Sequence, residues 1–254
     1  MKILICVPSY KRPVVETLNY IPSARIYVSE SQYSDYKKAN PNGNIIAVED
    51  KYQGNLCRIR NHILDLEQGN IVCIVDDDMR HIGYWEKLQF HKLENEKSIY
   101  QFLYKHTIMA LDLGVKLWGI NVNSDKQVYK EYSPFSTNCY IGGPFMVHVD
   151  TDLRFDERFP LKEDYDFTLQ NLNKYRKVLR INKYCYDVKQ KEQTGGVADY
   201  RTLEEERRQL LLLQKKWGSD IIKEDKIKSG KGKQSNKIRT YDINPRLISP
   251  IKGV

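Results

Sequence analysis

No stretch of this sequence is long and apolar enough to cross a bilayer. Runs such as Ile3 to Val7 and Ile71 to Val75 stop far short of a membrane span, which excludes a transmembrane reading. The N-terminus has a single Lys ahead of a run that ends at Pro8. It lacks both the long apolar region and the small-residue cleavage site of a secretory signal, so it reads as a first strand. Cysteine carries little chemistry: Cys6, Cys57, Cys73, Cys139 and Cys185 are odd in number, widely spaced and without a Cys-x-x-Cys pair, as in a reduced, cytosolic protein. No repeat of fixed period is visible. What is present is 254 residues with 41% hydrophobic and 29% charged content, the profile of one sizeable soluble domain, and disorder as the dominant state is excluded.

The formal charge of +8 comes from 41 basic against 33 acidic side chains and is unevenly spread. Much of the excess lies between Lys223 and Val254, where Lys and Arg far outnumber Asp and Glu. That balance favours a polyanionic partner, with a solvated, solubilising tail as the plain alternative. The stretch Lys226 to Arg239 has glycine and serine among its lysines and almost no apolar content, and reads as a flexible loop or tail. Upstream, from Lys2 to Ala198, short β-rich runs alternate with helical stretches, which predicts an α/β domain. The predicted strands are Ile3 to Val7, Arg25 to Val28, Ile45 to Val48, Ile71 to Val75, Val115 to Asn121 and Tyr140 to His148. The predicted helices run from Leu56 to Leu66, Glu96 to Leu113 and Thr202 to Trp217. The division is a domain over residues 1–200, a C-terminal helix over 201–225 packed on it, and a basic tail over 226–254.

The apolar strand Ile71 to Val75 ends abruptly in Asp76, Asp77 and Asp78. Ligands of open α/β sheets sit at the carboxyl ends of strands, and adjacent carboxylates there repel one another unless a hard divalent metal neutralises them. A solvated acidic turn, with the Asp side chains capping backbone groups, is the structural alternative.

Taken together, several elements resemble the metal-dependent glycosyltransferases of GT-A fold. They are the first strand followed by Pro8, Ser9, Tyr10, Lys11, Arg12 and Pro13, then Arg60 and Asn61 on a helix, the three Asp, Gly142 and Gly143, and Glu163 with Asp164. The Ser-x-x-Arg-Pro opening, the Arg-Asn pair, the triple Asp and the compact size are most similar to the TET-associated glycosyltransferases. The resemblance covers about residues 1–200. It implies a single Rossmann-like nucleotide-sugar-binding domain with a mostly parallel central sheet flanked by helices, followed by a helical and basic extension. It also implies an enzyme that glycosylates hydroxymethylated pyrimidines of DNA, 5-hydroxymethylcytosine first among them, in the cytoplasm, or in the host cytoplasm for a bacteriophage protein. Larger relatives of the fold act on polysaccharide, lipid or protein, and a non-catalytic nucleic-acid-binding module is a third reading. The absence of a membrane segment counts against lipid-linked acceptors, and the intact acidic motifs count against the third.

The resemblance also implies roles. A UDP-sugar donor carries a diphosphate whose departure a Mn or Mg ion can assist as a Lewis acid. Asp78 is the first choice of ligand, Asp76 shares the metal or faces the ribose, and Asp77 is the least certain. The last His of the chain is His148, so the late His ligand of many members has no counterpart. Ser9, Tyr10 and Arg12, after Pro8, hold the nucleotide, with Arg12 on phosphate or uracil oxygens and Tyr10 on the base. Arg60, with Asn61 beside it, reaches the diphosphate or orders the Asp cluster; a surface Arg is the bland alternative. Gly142 and Gly143 interrupt a strand where a sugar ring approaches, unless they only let the strand curve. In inverting members the Asp of the Glu163–Asp164 pair is the general base, with Asp166 in reserve; acidic residues favouring a helix N-terminus are the alternative. Lys189, Lys191, Gly195 and Gly196 form a basic, glycine-containing segment suited to a flap over the donor phosphates, or a plain loop.

Overall fold

A computed structural model of the chain describes residues 1–122, 124–125, 129–188, 195–224 and 243–249. An alternation of strands and helices opens it: β1 (Ile3–Pro8), β2 (Arg25–Ser29), α1 (Tyr33–Ala39), β3 (Asn44–Val48), α2 (Leu56–Leu66) and β4 (Ile71–Val75). A hairpin of β5 (Met79–Glu86) and β6 (Gln89–Lys92) follows, then α3 (Glu96–Asp112), β7 (Leu117–Asn121), β8 (Phe135–Ser136) and β9 (Phe145–His148). The chain continues through α4 (Glu163–Tyr175), β10 (Leu179–Val188), α5 (Leu203–Trp217), β11 (Ile222–Lys223) and β12 (Arg246–Leu247).

The strands build one large mixed sheet in the order β3-β2-β1-β4-β9-β7-β10-β5-β6, with β8 on β10. β1 to β4 are parallel and in register, Ile3 beside Ile71 and Cys6 beside Ile74. β9 is reversed between β4 and β7, and β10 is again parallel to β7. The period of two along β1 sends Ile5 and Val7 to one face and Leu4 and Cys6 to the other. The first face is covered by α3 and Tyr36 of α1, the second by α2 and α4, which gives three layers with helices on both sides of the sheet. A third cluster joins Phe159 and Leu169 to Leu210 and Leu213 of α5.

Two sequence expectations change here. The predicted strand Tyr140 to His148 is paired only from Phe145 onward, so Gly142 and Gly143 lie in the turn that enters β9 rather than within a strand. Residues 226–254 are not tail throughout. Arg246 and Leu247 pair with Lys223 and Ile222, and Ile243 and Leu247 pack against the α5 cluster, so this apolar segment returns to the fold. Lys226 to Lys237 lie outside the described residues.

Candidate active site

At the carboxyl ends of β1 and β4 an open cleft is lined by Pro8, Ser9, Tyr10, Arg12, Asp76 and Asp77. Its far wall comes from residues that sequence reasoning passed over: Gln53, Asn55, Leu56 and Ile59 at the start of α2, and Val197 and Tyr200. Asn55 caps α2, accepting from the backbone N–H groups of Cys57 and Arg58, so the positive end of that helix dipole opens on the cleft. That Asn ahead of an apolar helical run was the signal available in the sequence.

The loop after β1 is fastened by Asp77. Its carboxylate accepts from the Ser9 hydroxyl at 2.5 Å and from Arg12 Nη1 at 3.1 Å, while the Tyr36 hydroxyl lies 2.8 Å from Ser9 Oγ. Asp77 is buried, and its carboxylate is engaged in holding the loop after β1. The turn that carries the three Asp is held by Thr17, whose hydroxyl donates to the Asp76 carbonyl at 2.6 Å and accepts from the Met79 N–H at 3.0 Å. Gly195, at φ +84, packs so closely on this loop that an added Cβ would meet the Lys11 carbonyl at 2.7 Å. Arg12 Nη2 donates to the Gly195 carbonyl and the Gly196 N–H donates to the Tyr10 carbonyl, both at 3.0 Å. The Gly195–Gly196 segment is thus docked on the loop after β1; Lys189 and Lys191 lie outside the described residues.

Arg60 is not a surface residue. It is 1% exposed, and its guanidinium donates to Glu163 Oε1 at 3.1 Å, to Asp76 Oδ1 at 3.4 Å and to the Gly143 carbonyl at 3.0 Å. One buried cation therefore joins the Asp turn, the glycine turn and the start of α4. A Cβ at Gly143 would sit 3.0 Å from Glu163 Oε1 and 3.3 Å from Asp164 Oδ2, so the turn packs tightly on the start of α4. Asn61 does not face the cleft, since its amide donates to the Phe155 carbonyl and accepts from the Phe155 N–H, which ties down the loop before α4.

Glu163 is buried against Arg60 rather than exposed to a ligand. Burial, and then the neighbouring Asp164 charge, push its carboxyl up to about 8. Asp164 is half-buried and accepts from the Gly143 N–H at 3.1 Å and from the Tyr140 hydroxyl. Asp166 is displaced from its reserve role. It is fully buried on the opposite side of α4, accepting from Trp217 Nε1 and Lys216 Nζ, both at 2.7 Å, and from Gln170. His148 is remote from the Asp turn: β9 places it beside Val72 and Leu117, at the other end of the sheet.

Five carboxylates, Asp76, Asp77, Asp78, Glu163 and Asp164, thus gather around two guanidinium groups, Arg12 and Arg60. Asp78 registers the imbalance: burial, then the Asp76 and Asp77 charges, raise its carboxyl to about 7. Among the described residues no group of three or more His, Cys, Asp or Glu is placed to hold a metal ion. Beside Asp78, Asp76 is about a third exposed.

Among solved structures the chain is similar to Staphylococcus aureus TarS 1-349, with 15% identity over 73% of this chain and a TM-score of 0.45. It spans 59% of the length of that TarS structure. It is also similar to CMP:2-keto-3-deoxy-manno-octonic acid synthetase complexed with CTP, with 10% identity, 72% of this chain, 90% of that one and a TM-score of 0.38. No curated protein matches the sequence significantly. The model of the TET-Associated Glycosyltransferase family matches residues 23–196, a span that begins after the Ser9–Arg12 loop and takes in Arg60, the three Asp, both turn glycines, Glu163, Asp164 and Gly195. With that span exceeding half of its length, the chain belongs to the TET-associated glycosyltransferase family.

Proposed function

We propose that this glycosyltransferase moves a sugar from a UDP-sugar to a 5-hydroxymethylpyrimidine of DNA, 5-hydroxymethylcytosine in the first instance, with inversion and with a Mn or Mg ion. The observation that carries the reading is the excess of carboxylates over guanidinium groups at the mouth of the cleft. Such an excess fits a divalent cation held by Asp78 and Asp76, with donor oxygens and water completing the shell. Bound there, the ion would offset the charge that develops on the departing diphosphate.

The chain's own groups supply the rest. Tyr10 and the α2 end of the cleft receive the nucleoside, Arg12 faces its phosphates, and Arg60 keeps Asp76 and the start of α4 in fixed relation. Asp164 takes the proton of the acceptor hydroxyl as it attacks the anomeric carbon. A hydroxymethyl group on C5 of a pyrimidine projects into the major groove, where a duplex acceptor is reachable. The +8 charge, concentrated toward the C-terminus, supports a polyanionic acceptor.

The experiment is mass spectrometry of nucleosides from hydroxymethylcytosine-containing and hydroxymethyluracil-containing DNA incubated with a UDP-sugar mixture, with and without Mn. A metal-dependent hexose or pentose adduct on one nucleoside is expected. UDP-sugar turnover that leaves DNA unmodified would redirect the acceptor to a polysaccharide or protein.

A further inference from the structure

The strand-like segment before the glycine turn carries a group that neither the motifs nor the family match singles out. Tyr140 lies three residues before Gly143, and its backbone is fixed to α4: the Ile141 N–H donates to Thr168 Oγ1 at 3.2 Å, and that hydroxyl donates back to the Ile141 carbonyl at 3.4 Å. The Tyr140 ring stacks on Tyr165 of α4, with centroids 4.5 Å apart and planes 25° from parallel. Held by both, the Tyr140 hydroxyl donates to Asp164 Oδ2, the same oxygen that receives the Gly143 N–H.

A carboxylate offers about four lone-pair directions, two on each oxygen. Among the described residues three donors reach Asp164: Tyr140 and Gly143 on Oδ2, and the Tyr165 N–H on Oδ1 at 2.9 Å. Both directions of Oδ2 are taken, and the remaining one belongs to Oδ1. We propose that Tyr140 is the positioning residue of the general base: it fills Oδ2 and turns Oδ1 toward the acceptor hydroxyl. The inference rests on the assignment of Asp164 as base. The other charged or titratable groups facing Asp164 are Glu163 on α4, Arg60 on α2, Asp76 after β4 and Tyr186 on β10, and none of them changes when the Tyr140 hydroxyl is removed.

Tyr140→Phe deletes the hydroxyl and keeps the stacked ring. The test compares the full chain, Tyr140→Phe and Asp164→Asn by UDP release from a UDP-hexose mixture in which water stands in for the acceptor, with thermal melts of the same samples. The expected result for Tyr140→Phe has two parts: kcat falls roughly ten- to a hundredfold, the range for losing a hydrogen bond to a charged group, and KM for the donor stays unchanged. An unchanged kcat in Tyr140→Phe beside an inactive Asp164→Asn overturns the inference and leaves the base assignment standing. A loss of melting temperature in Tyr140→Phe with parental kcat reduces Tyr140 to packing and also overturns it. Parental UDP release by Asp164→Asn overturns the base assignment, and the role of Tyr140 falls with it.

Discussion

Lys162 and Glu163 are neighbours at the start of α4, both buried, and they enter opposite kinds of charge network. Lys162 turns toward α5, where its Nζ lies 2.5 Å from Glu206, which also meets Arg201 at 3.2 Å and accepts from the Ile243 N–H at 3.2 Å. One carboxylate there is satisfied from three directions by the protein itself. Glu163 turns toward the sheet, where Arg60 is shared with Asp76 and lies among Asp78, Asp77 and Asp164. The first network is closed and ties the C-terminal segment to the fold; the second holds more carboxylates than guanidinium groups, the imbalance on which the proposed cation site rests.

The largest test of this contrast is to remove the cation from each network. Arg60→Met leaves Glu163 buried, and Asp76 beside it, without their cation, a change that costs about 3–5 kcal/mol when a buried pair is broken, read by denaturant unfolding, and turnover should be lost with it. The paired change Lys162→Met/Glu206→Leu should cost far less, within about 2 kcal/mol, because replacing both ions with apolar groups avoids an orphaned charge, and turnover per folded molecule should be kept. Equal activity losses in the two variants would erase the distinction between them.

A finer version uses two carboxylates on one helix. Asp164→Asn should keep donor affinity while turnover falls by roughly two or more orders of magnitude, the range for loss of a general base. Asp166→Asn should keep turnover per folded molecule and lower stability by about 1–3 kcal/mol, since it weakens buried bonds to Lys216 and Trp217. Steady-state kinetics beside thermal melts separates the two.

These pairs also mark what was legible in the sequence. Residues two apart on a helix point to opposite sides, so Asp164 and Asp166 cannot share a cleft. Which one enters it depends on Lys216 and Trp217 of α5, about fifty residues away in the chain. Strand β4 and helix α2 have the predicted bounds, because an uninterrupted apolar run and an apolar stripe of helical period speak for themselves. The β5–β6 hairpin was missed: its half-buried strands carry Tyr, Trp and His, and its turn uses Lys87 and Leu88 at positive φ, without the Gly or Asn that announces such turns. For Arg60 the sequence left three readings open, the diphosphate, the Asp cluster or a plain surface position, because nothing local records that three segments converge on it. The sequence motifs located the Asp turn and the Glu-Asp pair; the long-range partners Thr17, Tyr36 and Tyr140 became visible only in three dimensions.

A smaller effect contrasts the two ends of the sheet. His148, opposite the cleft, is buried edge-on to Phe155 and Phe167, with neither ring nitrogen partnered among the described residues, and burial drives its pKa down to about 3. The folded state binds its proton less readily than the unfolded state, whose histidine titrates near 6.5. Stability therefore falls as pH drops below about 6.5, by about 2 kcal/mol between pH 7 and pH 5. His148→Leu should flatten that slope in urea unfolding at the two pH values, with donor binding unaltered. The smallest effect concerns the basic stretch. Replacing Lys226, Lys228, Lys231, Lys233 and Lys237 by Gln should leave stability and UDP release unchanged and weaken DNA binding similarly on all sequences. The slope of log affinity against log salt should fall by about 0.9 for each phosphate that the chain no longer neutralises. An identical slope would return the acceptor argument to the folded domain alone.

The central claim is that the Asp turn holds a divalent cation on the donor diphosphate, and calorimetry of UDP binding with and without Mn tests it most directly. The parent should bind UDP much more tightly with Mn than without, and Asp78→Ala should lose that metal dependence while retaining weak, metal-independent binding. Asp78→Ala binding UDP with the same affinity and the same Mn dependence as the parent would make the three aspartates a structural turn and contradict the account.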